Sequence, residues 1–164
     1  MKRIILAASA LLAVAAASSA MADSVNGASA TGTAGVTIFT PITLKQTQGL
    51  DFGAITSGAS GVVAIDQTSG TRSVSGGVGA IAVNVGKAGA FAVNGQANAA
   101  INVVVGSDIT GFQGGITGKT QAANLPAVLA GSSATFNVGG SLNIPANTPA
   151  GAYTGSYTVA VNYP

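Results

Sequence analysis

The stretch "GAYTGSYTVAVNY", residues 151–163, puts Tyr153, Tyr157, Val159, Val161 and Tyr163 at odd positions, with Gly155 the only gap. In an extended chain successive side chains point to opposite faces, so these five share one face. A period of two sustained this long predicts a β-strand, apolar on one side and polar on the other. All three tyrosines of an aromatic-poor chain lie on that face. Large flat side chains suit the inward face of a strand whose core otherwise has Ala and Val to fill it, with each hydroxyl kept at the sheet margin. Stacking of a sugar on Tyr153 or Tyr163 is the alternative use of such rings.

The same alternation recurs upstream. Ala28, Ala30, Ala34, Val36, Ile38, Ile42 and Leu44 all occupy even positions, and Pro41, which cannot donate to a ladder, marks this segment as an edge strand or a break. "GLDFGAI" and "GVVAID" are short apolar runs bounded by glycine, and "TSGTRSVSGG", Thr68 to Gly77, reads as turns around a short polar strand. "VGAIAVNV", "GAFAVNG" and "AAINVVVG" follow as three further strands. "ATFNVGGSLNIP" sets Phe136, Val138, Leu142 and Ile144 on one face, and "PANTPAG" is a turn cluster leading into the final strand. Outside the first residues, no window of length shows a 3.6-residue apolar period. The expected fold is therefore all-β, of short antiparallel strands, and the spacing of turns fits a sandwich or a barrel equally. The N-terminal alternating segment and the last strand stand out as its candidate edges.

"MKRIILAASALLAVAAASSAMA" has the layout of a secretory signal peptide: Lys2 and Arg3, an apolar run from Ile4 to Ala17, and a small-x-small site at Ala20-Met21-Ala22. Three segments are expected: a leader, 1–22; an extended N-terminal segment, 23–40; and a β-sandwich domain, 41–164. The apolar run is shorter than the roughly 20 residues of a spanning helix, and no membrane span is expected in the mature chain. The whole-chain excess of two positive charges resides in Lys2 and Arg3, which leaves four basic against four acidic residues from Asp23 onward. A neutral chain without a basic cluster argues against nucleic acid as partner. Cysteine is absent, so no disulfide holds an exported domain together and the fold must rest on a packed core.

Residues that carry chemistry are scarce. The mature chain has no His, Cys, Glu or Trp, which removes thiol nucleophiles, imidazole bases and the usual zinc ligand sets. Asp51 and Asp66 fit solvated turn carboxylates, and Lys45 and Arg72 fit exposed charges that keep an edge soluble. "SGGVGA", residues 75–80, lacks the following helix that a phosphate-cradling loop requires. The aspartates are too dispersed for a calcium loop. Neither catalysis, nor a cofactor, nor a metal is expected.

"TPITLKQTQGLDFGAITSG", "SGTRSVSGGV" with "AFAVNGQANAAINV", and "IPANTPAGAYTGSYTVAVNYP" together resemble the bacterial family known as domain of unknown function DUF4402. More distantly, they are similar to spore coat protein U and to archaic chaperone-usher pilins. The matching points are Leu50-Asp51-Phe52-Gly53 and Gly151-Ala152-Tyr153-Thr154-Gly155; the cysteines of coat protein U are missing. The resemblance implies an incomplete immunoglobulin-like sandwich completed by donor-strand exchange. Ala28, Ala30, Ala34, Val36 and Ile38 would be the donated residues, and Tyr153, Tyr157, Val159, Val161 and Tyr163 would line the acceptor. It further implies self-association into a polymer, export to the periplasm and then the cell surface, and service by a periplasmic chaperone and an outer-membrane usher. The alternative expectation is a self-closed monomeric sandwich acting as a binding or adhesion module.

Overall fold

The computed structural model describes residues 27–164. The expected leader and residues 23–26 of the expected N-terminal segment lie outside the described residues. Residues 27–36 belong to one unit of the chain and Thr37–Pro164 to another. Residues 27–36 carry no strand, and each is exposed.

Thr37–Pro164 is an antiparallel, sandwich-like all-β domain with no helix among the described residues. Its strands are β1 (Thr43–Gln48), β2 (Ile55–Ile65), β3 (Arg72–Ala80), β4 (Gly89–Asn94), β5 (Asn102–Val105), β6 (Asp108–Ile109), β7 (Thr117–Gln121), β8 (Ser133–Ile144) and β9 (Val159–Asn162). Seven form one array in the order β1-β4-β8-β2-β3, with β7 joined to β8 and β6 to β7, while β5 and β9 make a separate pair.

β8 organises the array, and its expected inward face is realised: Phe136, Val138, Leu142 and Ile144 are all buried. Its first half pairs with β4, from Ser133 opposite Asn94 to Val138 opposite Gly89. The second half pairs with β2 and with β7. Gly139 and Gly140 sit at the changeover. A Cβ on Gly139 would lie 2.3 Å from the Ile65 carbonyl oxygen, and one on Gly140 would lie 2.6 Å from that of Lys119. Only glycine lets the three backbones approach this closely.

Two apolar clusters form the core. One gathers Phe91, Val93, Ile101, Val103, Leu129, Phe136 and Val138 between β4 and β8 on one side and β5 and β9 on the other. Phe91 and Phe136 face each other across the ladder with ring centroids 5.4 Å apart. The second gathers Val63, Val78, Ile109, Ile116, Leu142 and Ile144. Each such side chain, fully buried, contributes about 1.5–3 kcal/mol. The β2–β3 hairpin closes through the expected turn: the Asp66 carboxylate accepts from Thr68 N, Ser69 N and the Ser69 hydroxyl, and Gly70 takes φ +68°.

Several expected strands are redrawn. The alternation before Pro41 forms none, and the strand begins only at Thr43. "GLDFGAI" is largely a loop that reaches β2 at Ile55, and β3 is longer than the short polar strand expected. "VGAIAVNV" ends β3 and then becomes a loop, in which Val83 is 95% exposed. There the Ile81 N–H and the Asn84 carbonyl bond Ala54 instead of a neighbouring strand, so the apolar alternation finds no partner. The long final strand is reduced to β9 plus a bridge at Ser156.

Candidate functional site

The expected facing of the C-terminal segment holds. Tyr153, Tyr157, Val159, Val161 and Tyr163 are all half-buried, while Thr154, Ser156, Thr158, Ala160 and Asn162 between them are exposed. Gly155, the gap in the series, is filled from across the domain, since a Cβ there would lie 2.7–2.9 Å from the ring of Phe112. Half-burial is the informative feature: these side chains cover core but are themselves covered on one side only.

On the main chain, Ser156 exchanges hydrogen bonds with Thr110 at 2.8 and 2.9 Å, and the Thr158 carbonyl accepts from Gly106 N at 2.9 Å. Peptide groups of successive residues point to alternate edges of an antiparallel strand. Those of Tyr157, Val159 and Val161 therefore face the other edge of β9, which pairs with no strand among the described residues. β1 likewise ends its array. Ile42 and Leu44 from β1, and Val159 and Val161 from β9, pack against the same cluster, so the two free edges flank one opening.

Along that opening three cavities of about 420, 520 and 360 Å³ adjoin one another. The first two share Leu50, Gly155 and Tyr157, and the second and third share Ile55, Ile144 and Tyr153. They make a continuous groove walled by Leu44–Ile55 and by the C-terminal segment. Asp51 is its only charged lining residue among the described residues, so the groove offers apolar side chains and strand backbone and little charge.

The three tyrosines have distinct roles. Tyr163 donates its hydroxyl to the Thr40 carbonyl at 2.7 Å and accepts from Gln96 N at 2.7 Å, with its ring 5.3 Å from that of Phe39. Tyr153 donates to the Pro149 carbonyl at 2.7 Å. Tyr157 stands edge-on to Phe91, and its buried hydroxyl has no hydrogen-bonding partner of good geometry among the described residues. Burial pushes the pKa of the Tyr157 phenol up, an effect that nearby Gln46 only partly offsets. The hydroxyl lies over Gly89, where a Cβ would come within 2.6 Å of it.

The expected donor residues Ala28, Ala30, Ala34, Val36 and Ile38 are all exposed, Val36 and Ile38 at 85% each. Asp51 and Asp66 are each held in local turns: the Asp51 carboxylate accepts from Gly53 N at 2.7 Å and from the Asn84 side-chain amide at 3.2 Å. No cluster of acidic residues able to hold a metal occurs among the described residues, and no helix there is long and apolar enough to cross a membrane.

Arg72 corrects the sequence reading. Far from a plain surface charge, its guanidinium donates to the carbonyls of Ala54, Asn84 and Ile81 at 2.7–2.8 Å and to that of Phe52 at 3.4 Å. It ties the loop that walls the groove to the loop after β3. Phe112 and Gln96 also escaped the sequence reading, the first flagged only by its place beside Gly111 and the second by nothing local.

The family model described as domain of unknown function (DUF4402) matches residues 42–163. The chain belongs to that family. No curated protein and no solved structure matches it. The DUF4402 match covers both walls of the groove and stops short of residues 27–38.

Proposed function

We propose that this DUF4402 chain is an exported, non-catalytic structural subunit of a surface polymer, joined to its neighbours by β-strand addition. The observation that carries the reading is the groove, where two strand edges without partners among the described residues flank a half-buried apolar floor. Exposed strand edges and apolar surface are liabilities that folded proteins cover. A donated strand supplies both the missing main-chain bonds and apolar side chains at alternate positions. Residues 28–38 of another copy have that alternation and carry no strand of their own. The leader-like N-terminus supports export to the periplasm and surface, and a periplasmic chaperone that shields the groove, with an outer-membrane usher, fits such a route.

The test uses the mature chain, residues 23–164. It forms chains of subunits that resist mild denaturant, whereas a protein lacking residues 23–38 stays unpolymerised and poorly soluble until a peptide of residues 26–40 is added. A truncated protein that folds alone as a stable monomer and ignores the peptide would sink the proposal and leave a self-closed binding module.

A further inference from the structure

The segment that would be donated leaves the domain through a fixed point. Thr40 is held by two side chains: its N–H and its hydroxyl donate to the Gln96 side-chain oxygen at 3.3 and 3.2 Å, and its carbonyl accepts from Tyr163 at 2.7 Å. Phe39 packs its ring on that of Tyr163. Directly after the clasp, Pro41 fixes φ and holds Thr40 out of the helical region. Ile42 then turns its side chain into the core, and Thr43 begins the ladder opposite Asn94. Phe39, Thr40, Ile42 and Thr43 are thus each tied to the domain, and reversing the chain between them would break those contacts.

From these contacts we infer that the Thr40 clasp selects a second copy of this chain, not the chain's own N-terminal segment, as the occupant of the groove. The inference rests on the strand-addition reading. To fill its own groove beside β1, the segment would have to turn back next to the clasp, and a hairpin connection takes about two to five residues. With Phe39 and Thr40 held, the turn consumes Val36 to Ile38. Those are the residues with the largest apolar side chains of the alternating series, and only the alanines would reach the floor. In a neighbouring copy the whole series from Ala28 to Ile38 remains available. The clasp thus makes self-filling the poorer option without touching the groove floor.

The experiment compares the mature wild-type chain with two variants by light scattering after size-exclusion chromatography. Tyr163→Phe keeps the ring but deletes the hydroxyl that holds Thr40. Insertion of Gly-Gly-Ser-Gly-Gly-Ser between Ile38 and Phe39 leaves the clasp intact and supplies turn residues. Both variants shift material from polymer to folded monomer, with the monomer fraction rising on the order of tenfold as hydrogen bonds are lost or slack is added. Should Tyr163→Phe unfold, the insertion alone decides, because it alters no residue of the domain's packing. A polymer content equal to wild type in the insertion variant overturns the clasp inference while leaving strand addition standing. A wild-type chain that is itself monomeric, together with a truncated protein that folds without peptide, overturns both.

Discussion

Replacing Gly155 by alanine tests how the groove wall is built. Gly155 has no positive φ among its constraints, so the added methyl meets a steric problem and not a conformational one. Its Cβ would lie 2.7, 2.9 and 2.9 Å from three atoms of the Phe112 ring, where ordinary carbon contacts are about 3.5–4.0 Å. The ring must retreat by most of an ångström. Because Phe112 is only half-buried it can swing rather than strain the backbone, which puts the net cost near the lower end for overpacking, about 1–2 kcal/mol. Gly151→Ala is the matched control in the same segment. Its nearest contact is 3.8 Å, and restricting the unfolded chain stabilises by about 0.4–1 kcal/mol. Urea melts of the folded protein therefore separate the two substitutions by about 2 kcal/mol, with Gly155→Ala the worse. In a Phe112→Ala background, Gly155→Ala loses its cost, a coupling of about 1–2 kcal/mol in the double-mutant cycle. Equal effects at 151 and 155, or no coupling to Phe112, would refute the idea that glycine stands in the tyrosine series to admit that ring.

Arg72→Met takes the guanidinium from four loop carbonyls, of which those of Ala54 and Asn84 keep a backbone donor, and costs about 2–3 kcal/mol, with faster amide exchange confined to residues 52–54 and 81–84. Arg72→Lys rescues little of this, because an ammonium cannot reproduce the fork; full recovery by lysine would argue for charge alone. Stability against pH is flat across the neutral range, since no His or Cys titrates there. On the acid side, Ser69 and then Thr68 hold Asp66 below the ordinary carboxylate value of 3.8, and Lys119 and then Ser107 do the same for Asp108. A depressed carboxylate contributes stability above its unfolded pKa and loses it as pH falls through the folded one, so the decline begins near pH 4 and is small for such exposed groups. On the alkaline side, Tyr157 is raised above 10, and its contribution disappears as pH climbs past that value. Chemical melts at a series of pH values check both limits, and a midpoint that moves between pH 5 and 9 would contradict them.

What the sequence determined alone is whatever depends on neighbours along the chain. Alternation put Phe136, Val138, Leu142 and Ile144 on the buried face of β8, and it sorted Tyr153 to Tyr163 inward from the exposed residues between them. Turn chemistry at Asp66 to Gly70 was equally legible, because a carboxylate and its own following amides need no distant partner. Period two cannot say whether a partner strand exists. "VGAIAVNV" and the segment from Ala28 to Ile38 alternate as well as β8 does, yet the first is paired only as far as Ala80 and the second with no strand among the described residues, since a strand persists only where another edge supplies its hydrogen bonds. The tertiary structure alone decided where Arg72 spreads its guanidinium, what fills the gap at Gly155, and that Tyr163 and Gln96 grip Thr40. Each of these contacts joins residues far apart in the chain, and so does the groove. It exists because the free edges of β1 and β9 are brought to the same opening without meeting.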